Sequence, residues 1–320
     1  MYLDYLFVVA GLAGLIAGGE MLVRGAVALA RGMGVSPVVI GLTLVGFGTS
    51  SPELLTSVQA AFAGSAGIAL GNVVGSNIGN ILLIVGAAAL LTPVAVAPGM
   101  LRRDGVVMAG ATLACLVAVL GGGIERPVGA ALLAALAVYL AATIAAERRR
   151  GTPAAEMYTH GAETVAVRAA PAGRSAFVLL AGLGLILLGA RFLVNGAISM
   201  AGHLGLSESV IGLTIVAIGT SMPELATSVI AARRGHGDVA FGNVVGSNIF
   251  NILGILGVTA LLHPLEVPAR IAGADIWVML AATAVLLLFA WTGRRIGRRE
   301  GAALLVVYAG YLAWLLLAAA

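Results

Sequence analysis

The chain has 320 residues, 60% of them hydrophobic and 10% charged, with 45 Gly and a mean hydropathy of +1.07, values that exclude a soluble globular domain and leave a polytopic membrane protein. The net charge of +4 rests on 18 basic residues, all Arg and mostly in short loops between apolar runs, which is a topological pattern and not a nucleic-acid surface. Cys115 is the one cysteine and lies in an apolar run, which excludes an internal disulfide, a thiolate metal site and a redox pair.

The N-terminus carries Asp4 in place of a basic n-region and runs directly into a Gly-rich apolar stretch, so it reads as a retained first helix. Apolar stretches of bilayer length, roughly 20 residues each, follow one another along the chain. They cover 5–30, 36–62, 67–91, 103–121, 124–146, 174–201, 207–232, 238–262, 271–291 and 301–319. The segment 147–173 has charges, Pro, Gly and Thr without apolar periodicity and reads as a cytoplasmic linker. The expected fold is all-α: ten transmembrane helices in two five-helix repeats, 1–146 and 174–320. Arg24, Arg31, Arg102, Arg103, Arg148, Arg149, Arg150, Arg168, Arg174, Arg233, Arg234, Arg294, Arg295, Arg298 and Arg299 fall at or beside alternate connections, which marks those as cytoplasmic and both termini as extracytoplasmic. Five spans per half is an odd number, so the second half enters from the opposite face and the repeat is inverted.

The halves are copies. Gly41 to Leu54 (GLTLVGFGTSSPEL) returns as Gly212 to Leu225 (GLTIVAIGTSMPEL), and Gly71 to Leu82 (GNVVGSNIGNIL) returns as Gly242 to Leu253 (GNVVGSNIFNIL). The offset is 171 throughout, and 33 of the 51 positions in 36–86 match their partners in 207–257. Each copy places one Glu directly after a Pro in an uncharged apolar run. An ionisable group there is costly and marks a functional site.

In Gly48-Thr49-Ser50-Ser51-Pro52-Glu53 and Gly219-Thr220-Ser221-Met222-Pro223-Glu224, Pro lacks an N–H and the nearby Gly weakens the helix, so the helix is expected to break. The same string also suits a helix N-terminus, and a half-helix starting at Pro52 would have that geometry. Non-helical backbone at membrane depth survives only where it is buried in protein or lines a cavity. Freed carbonyls, Thr and Ser hydroxyls and a carboxylate make an all-oxygen shell. Such a shell suits a hard cation such as Ca2+, with six to eight oxygens at roughly 2.3–2.6 Å, whereas Zn2+ would call for His or Cys. His160, His203, His236 and His263 lie in or beside connections and are expected to be solvated. Two carboxylates balance one Ca2+ or two Na+, and an empty site is expected to load another ion or protons.

In the second motif Ser76 and Asn80, and again Ser247 and Asn251, are four apart on one helical face, while Asn77 and Asn248 lie one step round and suit helix packing. Gly71 and Gly75, and Gly242 and Gly246, repeat the spacing of four and offer a groove for a neighbouring helix. Glu20 and Arg191 are also 171 apart, expected to snorkel more than to pair; Asp104 and Asp275 are equivalent positions near span ends, expected to be interfacial.

With both motifs duplicated at one offset, the chain resembles the Ca2+/cation antiporter superfamily, and within it the prokaryotic Na+/Ca2+ exchanger branch, over its whole length. The resemblance implies a cavity between the second, third, seventh and eighth helices, past which the first and sixth slide. It implies Ca2+ and Na+ as transported substrates, Glu53 and Glu224 as the main Ca2+ ligands, and Thr49 and Thr220 as carbonyl donors. Ser50, Ser221, Ser76 and Ser247 match positions lining Na+ sites, Gly46 and Ala217 supply further carbonyls, and Asn80 and Asn251 sit at the centre. Some relatives carry Asp where this chain has Asn251, so one fewer titratable group argues against K+ dependence. The expected location is a prokaryotic plasma membrane, multi-pass; no cofactor and no protein partner are expected, and the oligomeric state, with a monomer sufficient, is left open by the sequence.

A proton-coupled Ca2+ antiporter using the same Glu pair is the main alternative. A cation channel is a different class, disfavoured because a neutral pore needs no paired Glu at mid-membrane. No HExxH motif, paired Asp signature or Ser/His constellation suggests an enzyme.

Overall fold

The computed structural model describes residues 2–32, 46–150, 171–235 and 237–318. Most of the expected linker, residues 36–45 of the second span, Gly41 of the first motif, His160 and His236 therefore lie outside the described residues.

The first half comprises α1 (Tyr2–Gly32), α2 (Gly46–Thr49), α3 (Ser51–Phe62), α4 (Ala66–Leu91), β1 (Val94–Ala95), α5 (Pro98–Leu120), β2 (Gly123–Ile124) and α6 (Arg126–Arg150). The second repeats the order with α7 (Ala172–Leu204), α8 (Glu208–Thr220), α9 (Met222–Arg233), α10 (Gly237–Leu262), β3 (Leu265–Glu266), α11 (Ile271–Gly293), β4 (Arg295–Ile296) and α12 (Arg298–Leu317). Among the described residues eight helices are long and apolar enough to cross a bilayer, and α8 with α9, bent by 48° at their junction, makes a ninth. The expected tenth, 36–62, is represented by α2 and α3. The chain is a multi-pass membrane protein built almost wholly of helix.

Two short strand pairs establish that the halves are inverted. β1 pairs antiparallel with β4, and β2 with β3. β1 and β2 flank α5 and so lie at opposite ends of the bundle. β3 joins β2, so α10 ends on the face opposite to its copy α4, and the two run antiparallel. The β1·β4 end gathers Arg102, Arg103, Arg294, Arg295, Arg298 and Arg299, with Arg298 donating to the Leu91 carbonyl at 3.3 Å. Gly237 packs on Val94 and Ala95, which brings the end of α9, with Arg233 and Arg234, to the same face. The β2·β3 end carries Glu125 and Glu266 with only Arg126 and Arg270 beside them among the described residues.

α4 and α10 form the core: 83% and 78% of their apolar windows are buried, against 44% or less for the other single-helix spans. Each is interrupted by a π-helical turn that starts at an Asn, Asn80–Val85 and Asn251–Leu256. Such turns skip a backbone bond and frequently mark functional sites. In α4, Gly71 and Gly75 take the backbone of α8: a Cβ on Gly71 would lie 2.9 Å from the Ser209 carbonyl and one on Gly75 2.8 Å from that of Leu213. This is the small-residue packing that helices use where no water drives them together.

α1 and α7 pack antiparallel along a glycine seam. Gly11, Gly18 and Gly25 recur every seven residues, and their copies Gly182, Gly189 and Gly196 face back across it. A Cβ on Gly11 would meet Leu193 N at 2.5 Å, and one on Gly182 would meet Leu22 N at 2.5 Å. Gly205, at φ 65, ends α7 in the left-handed conformation that glycine adopts without penalty.

Asp104 and Asp275, expected at the interface, are buried. Tyr139 donates to Asp104 at 3.0 Å and Tyr311 to Asp275 at 2.9 Å, while Arg103 and Arg270 supply the opposite charges, so each carboxylate is tied to the next helix. A carboxylate with such partners can leave water. Glu20 pairs with Arg24 one turn away, both exposed. His203, expected to be free in solvent, is half exposed and lies 3.0 Å from Asp4 across the α1–α7 seam.

Candidate ion site

The helix breaks fall at Ser50 (φ −87, ψ 6) and Ser221 (φ −82, ψ 8), each followed by a half-helix with Pro in its first turn. Pro52 and Pro223 lack the N–H that would bond the carbonyl four residues back, so continuous helix stops there. Ser50 and Ser221 occupy the N-cap position, where a hydroxyl usually bonds the backbone of its own helix, a contact typically worth about 1 kcal/mol. Neither makes that bond. Their hydroxyls instead cross to the other repeat: Ser50 Oγ donates to Glu224 Oε1 at 3.1 Å, and Ser221 Oγ donates to Glu53 Oε1 at 3.0 Å. Ser76 Oγ lies 3.1 Å from Ser221 Oγ, which adds a hydroxyl to the Glu53 side.

Glu53 and Glu224 are 2% and 1% exposed. One oxygen of each is held by a Ser, and the other, Oε2, is buried without a hydrogen-bond partner. Asn80 Oδ1 and both polar atoms of the Asn251 side chain are likewise buried and unpartnered. Buried polar atoms are normally paired, so orphaned oxygens on two carboxylates and two amides mark this as the candidate place for a water, proton or cation. Oxygens of this kind fit a hard cation. Among the described residues no cluster of three or more His, Cys, Asp or Glu is present, so any cation here is held by two carboxylates and neutral oxygens.

The remaining expected residues divide. Thr220 is buried, and its hydroxyl lies within hydrogen-bond reach of Asn72 Oδ1 at 3.0 Å and of the carbonyls of Val216 and Ala217, so the side chain braces the break. The Ala217 carbonyl also receives the Ser221 N–H at 3.1 Å. Thr49 is half-buried with its hydroxyl on the Glu224 side. Gly46 opens α2, and Ser247 is buried on α10. Asn80 Nδ2 donates to Asn248 Oδ1 at 3.0 Å, Asn248 Nδ2 to the Asn77 carbonyl at 3.4 Å, and Asn77 Nδ2 to Val73 within its own helix. Asn77 and Asn248 thus serve packing, as expected.

Sequence reasoning passed over Asn72 and Asn243. Asn72 Nδ2 bonds the Glu53 carbonyl at 3.1 Å and Ser57 Oγ at 2.9 Å; Asn243 Nδ2 bonds the Glu224 carbonyl at 3.5 Å and Ser228 Oγ at 2.9 Å. These amides pin the half-helices that carry the carboxylates onto α4 and α10. Their signal was present, since both stand inside the duplicated GNVVGSNI string with Ser57 and Ser228 at the same offset.

Residues 3–145 and 174–317 match the sodium/calcium exchanger protein family. The chain belongs to that family. CaxA of Alkalimonas amylolytica is 40% identical over 97% of this chain and 98% of its own length. The sodium/calcium exchanger MaX1 of Methanosarcina acetivorans is 36% identical over 97% of both chains. The solved structure of the sodium-calcium exchanger NCX_Mj, soaked with Na+ and without Ca2+, aligns with a TM-score of 0.65 at 32% identity over 98% of each chain.

Proposed function

We propose that this protein is a secondary antiporter that exchanges Ca2+ for Na+ by alternating access at a mid-membrane site formed by Glu53 and Glu224. One observation carries the reading: two buried carboxylates from opposite repeats, each holding one oxygen on a Ser of the other repeat and leaving the second without a partner. Two buried carboxylates left ionised and unpaired are strongly unfavourable, whereas a divalent cation or two monovalent ones offsets their charge. The loaded site can therefore change its facing far more readily than the empty one, which makes transport an exchange. Membership of the exchanger family, and the likeness to MaX1 and NCX_Mj, support the same reading.

In this scheme the orphaned Oε2 atoms and Asn80 Oδ1 and Asn251 Oδ1 complete the cation's shell together with carbonyls at the two breaks. Ser50, Ser221, Ser76 and Ser247 add hydroxyls, and Asn72 and Asn243 position the Glu-bearing half-helices. The Arg-rich β1·β4 end is cytoplasmic, which places both termini outside. Because the site is assembled within one chain, a monomer suffices, and the function is transport, not catalysis.

The test is 45Ca2+ uptake into proteoliposomes loaded with Na+ and diluted into Na+-free medium. Uptake that needs internal Na+ and disappears in Glu53→Gln and Glu224→Gln supports the proposal. Uptake driven only by a pH gradient would transfer the site to proton exchange, and undiminished flux in either variant would remove the carboxylates from the mechanism.

A further inference from the structure

The two Ser–Glu pairs are equivalent by symmetry but not by surroundings. Beside Ser221 lies a small cavity with room for about one water molecule, lined by Gly75 and Gly79 of α4, Ala217 and Leu225 of the broken helix, and Tyr308 of α12. It exists because position 79 is Gly. The copy of Gly79 is Phe250, whose ring lies over Gly254 so closely that a Cβ there would be 2.5 Å from it. On this helix the copies are 172 apart, since Gly129 and Leu133 pack on Gly257 as Gly301 and Leu305 pack on Gly86, so the counterpart of Tyr308 is Leu136, which has no hydroxyl. Ser50 is 0% exposed and Ser221 6%.

Tyr308 is 6% exposed, and its hydroxyl bonds no described residue. It points toward Gly79, where a Cβ would stand 3.7 Å from it. A buried tyrosine hydroxyl usually finds a partner. Ser221 Oγ has a lone pair left after donating to Glu53 and meeting Ser76, and it faces the same cavity. A water in a pocket of this size is held where two or more polar groups converge.

We infer that the Gly79 cavity seats one water bridging Tyr308 and Ser221, and that Tyr308 is thereby a positioning residue for the Glu53 half of the ion site. The bridge holds the Ser221 hydroxyl toward Glu53. The inference rests on the proposal that Glu53 and Glu224 bind the cation.

Equilibrium 45Ca2+ binding to the purified protein in nanodiscs tests it with Tyr308→Phe, which keeps the ring and removes only the hydroxyl, and Gly79→Val, which fills the cavity. Each is expected to weaken Ca2+ binding roughly threefold to tenfold, the worth of one hydrogen bond. The double variant should be no weaker than the weaker single one, because both remove the same water. Tyr311→Phe, on the same helix but facing Asp275, should leave the affinity unchanged. Unaltered affinity in Tyr308→Phe, additive losses in the double variant, or an equal loss in Tyr311→Phe would overturn the inference. Wild-type protein that binds Ca2+ but does not exchange it for Na+ would overturn the transport reading alone, leaving the positioning role to be decided by these affinities.

Discussion

Ser50 and Glu224 stand 174 residues apart and are joined by a 3.1 Å hydrogen bond that is returned, with the repeats exchanged, by Ser221 and Glu53. Reciprocal contacts of this kind are the signature of a two-fold axis. Asn77 with Asn248, and Thr112 with Thr283 at 3.5 Å, are residues that touch their own copies, so the axis passes close to both pairs. The carboxylates are therefore brought together by the duplication itself. Each half-helix delivers a Glu whose best hydroxyl donor lies on the other half.

Neutralising either carboxylate should separate stability from binding. In buffer without Ca2+ or Na+, Glu53→Gln and Glu224→Gln should each unfold at a higher temperature than wild type, because the amide needs neither a counter-ion nor a proton to sit buried beside the other carboxyl. Wild type should gain stability as Ca2+ is added, and the variants should gain little. Thermal unfolding followed by intrinsic fluorescence checks both signs; variants less stable than wild type in ion-free buffer would contradict the buried-charge argument.

Removing the crossing hydroxyls tests the reciprocal bond. Ser50→Ala and Ser221→Ala each delete a hydrogen bond to a charged group, so Ca2+ affinity should fall about tenfold or more in each. The effects should combine to less than their sum if the two carboxylates share one cation. Equal affinities for wild type and both variants in 45Ca2+ binding would mean that the hydroxyls do not orient the carboxylates.

Asn72 holds three partners, the Glu53 carbonyl, Ser57 and Thr220. Asn72→Ala leaves those groups buried and unsatisfied, at a cost of about 2–4 kcal/mol. Asn243→Ala should cost less, since its bond to the Glu224 carbonyl is stretched to 3.5 Å. Chemical denaturation in a fixed detergent ranks the two; a larger loss for Asn243→Ala would reverse the assignment.

The glycine seam predicts a graded series. Gly11→Ala and Gly182→Ala put a Cβ 2.5 Å from backbone and should destabilise by about 1–3 kcal/mol, whereas Gly14→Ala, at 3.2 Å, should cost less. Gly184→Ala, on α7 but with nothing within 4 Å, should be neutral or stabilising through helix propensity. Unfolding temperatures that do not follow this order would show that α1 and α7 separate more easily than their packing implies.

The class of the protein, its duplication, the inverted halves, the helix breaks and the Glu–Ser–Asn composition of the site were legible in the residues alone. The reason is local and additive: apolar length reports a span, Pro after Ser interrupts it, and a constant offset of 171 between two motifs admits one alignment of the copies. Asn72 and Asn243 were also visible in the string, yet nothing local distinguishes an amide that braces a backbone from one that faces an ion. The burial of Asp104 and Asp275 was hidden for the same reason, because their Tyr partners stand 35 and 36 residues away on the next helix.

Only the folded chain decides which hydroxyl meets which carboxylate, since Ser50 and Ser221 read locally as caps of their own helices and turn instead to the opposite repeat. The heptad of glycines acquires meaning only when α1 and α7 lie antiparallel. The inequality of the two halves is likewise tertiary. Gly79 against Phe250, and Tyr308 against Leu136, are single differences between copies, and their effect depends on α12 packing beside α4. Sequence determines what each segment can do, whereas the direction of a hydroxyl or the room for a water depends on distances between segments that no local pattern encodes.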